Sequence, residues 1–136
     1  MPSRLKTSPS ILVVDKLSEI VRKDSFNYYA KWHIGLLYIL KKDFEPAIEM
    51  LKLRMVDSLN NNWLLGYAFA KTGNSKEARR ILNYLKEKND TTYVPPSMIA
   101  YIYWGLDEEE EAIQWMRKAY EVQDNFPIMN HAFKVM

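Results

Sequence analysis

One spaced pattern occurs three times in this chain, and it constrains the fold more than any single residue does. A small residue is followed three positions later by an aromatic, and nine positions after that by alanine. The three sets are Gly35, Tyr38 and Ala47; Gly66, Phe69 and Ala78; and Ala100, Tyr103 and Ala112. The alanines stand 31 and then 34 residues apart. A period in this range marks stacked helical hairpins, each too small to bury its own apolar face. Arrays of this kind bind far more often than they catalyse, so the expectation is a binding protein with no catalytic centre.

Glycine and proline divide the chain in agreement with that period. Ser8 and Pro9 can start a helix over about residues 9–23, with Leu12, Val13, Leu17, Ile20 and Val21 as its apolar stripe. Asp24 or Ser25 then starts a second helix through Phe26, Tyr29, Trp32, Leu36 and Ile39. Asp43 caps the next, where Pro46 falls in a first turn that needs no backbone donor. Asn60, Asn61 and Asn62 are read as a break before a helix from Trp63 to Lys71. Gly73 and Asn74 turn the chain into Lys76–Lys88, and residues 89–96 form the longest irregular stretch. A helix then runs to Trp104, followed by a turn at Gly105 and Leu106. Asp107 and Glu110 read as a capping box for a helix from Glu108 to Val122. Pro127 opens a short last helix to about Phe133. No segment alternates with period two over strand length, so the class is all-α.

Composition restricts function further. A chain of 136 residues supports one core, and 48% hydrophobic with 26% charged residues is ordinary globular composition. A net charge of +2, with bases and acids interspersed, argues against a nucleic-acid partner. The absence of cysteine removes disulfides and thiolate sites. The longest apolar run near the N-terminus, residues 11–14, is too short for a signal core or a membrane span. The reading is a cytoplasmic protein, or a soluble piece of a larger one, with no membrane partner.

With the alanines in register, the chain resembles the tetratricopeptide repeat family over about residues 28–122. The large-then-small pair of that family's first helix falls on Ile34 and Gly35, Leu65 and Gly66, and Ile99 and Ala100. Its aromatic falls on Tyr38, Phe69 and Tyr103, and its bulky second-helix position on Leu51, Leu82 and Met116. The sequence departs from the family in its tryptophans, Trp32 and Trp63, which sit one position late. The late small position is Arg54 and Leu85 in the first two units against Ala119 in the third. The resemblance implies a right-handed α-solenoid of about three hairpins, over residues 28–58, 59–92 and 93–126, with an N-terminal capping helix and a short C-terminal helix. The third unit also resembles the closing repeat of such regions in bacterial multidomain signalling proteins.

In the family's geometry the first helix of each hairpin lines a concave groove. Here that groove would hold Tyr29, Trp32, His33 and Leu36, then Asn60, Trp63, Leu64 and Tyr67, then Ser97, Met98, Tyr101 and Trp104. An aromatic surface with few charges favours an apolar anchor from a protein or peptide partner. The competing reading makes the same side chains core between hairpins. A homodimer through the aromatic face is a second occupant. The positions that grip chaperone carboxylates in some relatives carry Trp32, Leu36, Leu64, Val94 and Met98, which cannot form such a clamp. The function implied is a protein-interaction scaffold or adaptor. The alternative is a regulatory or sensory module of a bacterial signalling or transcription protein.

Catalytic and metal chemistry find no footing in these residues. His33 and His131 lack a partner at metal-ligand spacing. The acids Glu108–Glu111 point to different sides of a helix and suit its positive end. The four glycines are isolated and build no phosphate loop. No cofactor is expected. Lys76, Arg79, Arg80, Lys86 and Lys88 read as a solvated basic edge.

Overall fold

The structure is a computed structural model and describes residues 9–24, 27–52 and 59–122. Seven α-helices and no strand lie among the described residues, which makes the chain an all-α helical repeat. They are α1 (Pro9–Lys23), α2 (Tyr28–Leu40), α3 (Phe44–Lys52), α4 (Leu59–Lys71), α5 (Ser75–Lys88), α6 (Pro96–Gly105) and α7 (Glu109–Glu121). α2 pairs with α3, α4 with α5, and α6 with α7, while α1 lies against α2. The final helix expected from Pro127 lies outside the described residues.

Each hairpin turns by the same device. Lys42, Gly73 and Asp107 take left-handed backbone at φ 64°, 83° and 63°. Immediately after them, the N–H groups of Asp43, Asn74 and Glu108 donate to the carbonyls of Tyr38, Phe69 and Tyr103 at 2.8, 2.9 and 3.0 Å. That closure satisfies carbonyls which the end of a helix would otherwise leave without a partner. The next helix opens when Ala47, Ala78 and Ala112 donate their N–H to the carbonyls of Asp43, Asn74 and Glu108. The turn residues are therefore 31 and 34 positions apart, as the alanines are.

The three alanines are buried, as small residues between closely packed helices are expected to be. The small residues of the first helices serve the same contact. A Cβ on Gly35 would lie 2.8 Å from Leu51 Cγ of α3. One on Gly66 would lie 3.1 Å from Ile81 Cγ2 of α5 and 2.8 Å from Ile102 Cδ1 of α6. Two polar contacts tie α5 to the third hairpin. The Arg79 guanidinium donates to the Glu108 carboxylate, and Lys86 Nζ donates to the Tyr103 hydroxyl at 2.9 Å.

Several local expectations are corrected. The cap of α2 is Asn27, whose Oδ1 accepts from the Ala30 N–H at 3.0 Å, in place of Asp24, while Ser25 lies outside the described residues. Asn60 and Asn62 do not interrupt the chain but stand in the first turn of α4, where polar residues are tolerated because the N–H groups there lack helical partners. No capping box forms at Asp107, because that residue is already committed to the left-handed turn closing α6, and Glu108 takes the cap position without a side-chain bond. In α1 the half-buried apolar residues are Val14, Leu17 and Val21, whereas Leu12, Val13 and Ile20 are exposed.

Candidate partner-binding surface

The first helices α2 and α6 carry almost no polar residues, so periodicity assigns them no solvent face. Packing decides it. α6 lies close against both α4 and α7, and its residues are buried except for half-buried Trp104. α2 packs on α1 and α3 and touches α4 only lightly. An aromatic cluster consequently reaches the surface on α2.

Tyr29 is 72% exposed there. Its ring lies 4.2 Å from that of His33, and the Trp32 ring meets His33 edge-on at 4.9 Å. His33 Nδ1 stands 3.0 Å from the Tyr29 carbonyl oxygen. A carbonyl can only accept, so Nδ1 carries the proton and Nε2 is left as an acceptor in the neutral ring. The backbone bond and the two ring contacts hold the imidazole in one orientation. The cluster presents aromatic faces and one acceptor, with Tyr29 outermost.

The other residues expected in the groove are placed differently. Trp63 and Tyr101 are fully buried, their rings 5.2 Å apart between α4 and α6. Leu36, Leu64, Tyr67 and Met98 are buried too, and Tyr67 meets the edge of Phe44 from α3 at 6.2 Å. Those on α4 and α6 are core because α6 lies over α4 and removes them from solvent, and Leu36 is buried on α2. Asn60 is on α4 in its first turn. Trp104 is set apart from the α2 cluster, lining a cavity of about 80 Å³ with Ala112, Ile113 and Met116 of α7. In register it aligns with Ile39 and Ala70, and Ala70 meets Gly105 of the following hairpin.

Tyr67 has an electrostatic consequence. Its hydroxyl is buried and finds no hydrogen-bond partner among the described residues. Burial, with a smaller contribution from the Asp107 carboxylate, pushes the phenol up to about 12 from 10.0. Among the described residues no group of three His, Cys, Asp or Glu side chains could hold a metal ion. Nor is any described helix long and apolar enough to cross a membrane.

Sequence reasoning missed one surface feature. Ile113 is exposed at the position that Arg79 occupies in the preceding hairpin. An apolar residue on a solvent-facing register position was the available signal.

With the hairpins in view, comparison with known proteins gives one match, over part of the chain. Residues 97–126, the third hairpin with the residues that follow it, match the profile of the tetratricopeptide repeat. The match supports the tetratricopeptide repeat family, and the two earlier hairpins carry the same turn and the same buried alanine in register. No curated protein and no solved structure matches this chain.

Proposed function

We propose that this chain is a protein-interaction adaptor that takes a segment of a partner protein on the aromatic surface of α2. Tetratricopeptide repeats serve protein–protein interaction in general and are typically not enzymes. The exposed, oriented cluster of Tyr29, Trp32 and His33 carries the reading for this particular surface. Tyrosine and tryptophan give large contact area at low conformational cost and dominate binding energy where they occur. Trp63, Tyr67, Met98 and Tyr101 are buried and belong with Leu36 to the core cluster against which Trp32 packs. An apolar or aromatic anchor fits the ring faces, and a donor from the partner fits His33 Nε2.

The test pans a displayed random-peptide library against the full chain and measures enriched peptides by titration. Tyr29→Ala should weaken them at least about tenfold, in the range for truncating an anchor residue. Arg80→Ala on exposed α5 should leave affinity unchanged. No enrichment, or enriched peptides indifferent to Tyr29 and His33, would reject this surface.

A further inference from the structure

The two ends of the array are chemically matched to each other. In the first hairpin Ile39, Ala47 and Leu51 are buried, and in the second Ala70, Ala78 and Leu82 are buried. The following hairpin supplies the cover: a Cβ on Gly105 of α6 would lie 3.0 Å from the Cβ of Ala70. In the third hairpin the equivalent residues are Trp104, Ala112 and Met116, and they line the open cavity of about 80 Å³. Beside it Ile113 is 45% exposed. The described residues thus end in an apolar seat shaped for one more helix, a surface that repeat proteins ordinarily cover.

At the opposite end, α1 presents an outward apolar face. Leu12, Val13 and Ile20 are 52%, 46% and 40% exposed, and Val13 and Ile20 are two helical turns apart on one side. Charge sets the orientation. A helix seated as the next in the series runs antiparallel to α7, as α6 does across its short turn. α1 in that orientation brings Arg22 and Lys23 of its last turn beside Glu109, Glu110 and Glu111 of the first turn of α7.

We propose that the chain associates head to tail with a second copy of itself, α1 of one copy seating on the α6–α7 face of the next. The contact joins two different surfaces, so it generates a growing series or a closed ring rather than a two-fold dimer. It uses neither Tyr29 nor His33 and stands or falls apart from the peptide surface.

Sedimentation velocity on the full chain over a concentration series tests it. The wild type should increase in mass with concentration, and high salt should weaken the association. Ile113→Asp and Ile20→Asp, both at exposed positions, should each remain monomeric with unchanged helical circular dichroism. An equal mixture of the two should form a one-to-one dimer that grows no further, because one variant keeps α1 intact and the other keeps the seat. Glu110→Lys should weaken association several-fold, and Lys23→Glu in the same chain should restore it. A wild type that stays monomeric throughout would leave the seat to another occupant and overturn the proposal. So would a mixture that fails to pair while the wild type associates.

Discussion

α2 and α6 occupy the same place in their hairpins, are similarly apolar, and end in the same turn, yet they meet solvent very differently. α6 is enclosed by α4 and α7 and keeps only part of Trp104 at the surface. α2 leaves Tyr29 exposed and Trp32 half-buried, although Trp63, one unit later than Trp32, is fully buried against Tyr101. Residues that match in register therefore do not share a fate. The pattern within a unit specifies the hairpin, while the neighbouring helix decides whether an aromatic becomes core or surface. Among these first helices, that decision leaves an exposed tyrosine on α2 and only half-buried Trp104 on α6.

The largest test of this contrast is truncation of the two tryptophans. Trp63→Ala should cost about 3–5 kcal/mol in urea unfolding, the range for removing a buried large aromatic. Trp32→Ala should cost less than half as much, and equal costs would abolish the distinction between the two junctions. Next in size is an alkaline effect centred on Tyr67. The folded chain keeps a phenolic proton that the unfolded chain releases, since burial raises the folded value to about 12 from 10.0. Its contribution is full below about pH 10 and is lost as pH rises towards about 12, amounting to roughly 2–3 kcal/mol. Tyr67→Phe should flatten that fall in a pH series of unfolding midpoints, while stability at neutral pH is unchanged or slightly raised because a buried hydroxyl without a partner is removed.

A smaller effect compares covered and uncovered hairpins. Ala78→Leu should overpack the enclosed second hairpin and cost about 1–3 kcal/mol by calorimetry. Ala112→Leu should cost less, because Ala112 borders the open cavity. Equal costs would mean that the third hairpin is as enclosed as the second. The smallest effects belong to the turns. Lys42→Gly and Asp107→Gly should each stabilise by about 1 kcal/mol, and Gly73→Ala should destabilise by a similar amount, since only glycine adopts left-handed backbone without a side-chain penalty. Thermal melts of the three variants would resolve the pattern.

The sequence carried most of the fold because small residues, turn residues and period are local signals. Gly73 with Asn74 announced its turn, and Ala47, Ala78 and Ala112 fixed the register. The turn after α6 is read at Gly105 and Leu106, beside Asp107 where the positive φ falls, whereas Lys42 gives no sign of its turn, since neither residue type demands positive φ. The capping box read at Asp107 and Glu110 failed for the same reason: one residue cannot both close α6 and cap α7. Asn60 and Asn62 misled because asparagine suits a helix start as well as a break. The candidate surface was the least legible part. A helix apolar on every side gives no moment to separate core from groove, so Trp63, Tyr67, Met98 and Tyr101 could be distinguished from Tyr29 only by where α6 lies.

The shared turn also determines where this molecule can change length. From each aromatic to the alanine nine positions on, every backbone step is fixed by the same bonds, so an inserted residue would break the joint. The three residues by which the longer unit exceeds the shorter fall between Ala78 and Ala100, a span that holds the irregular 89–95 segment. That segment is closed by bonds of its own, such as Thr92 N–H to the Lys88 carbonyl and Val94 N–H to Asn89 Oδ1. A change of length is thus easier to accommodate in the connectors or as a whole hairpin, and a linker or tag inserted near residue 91 should be tolerated where one at residue 73 would not.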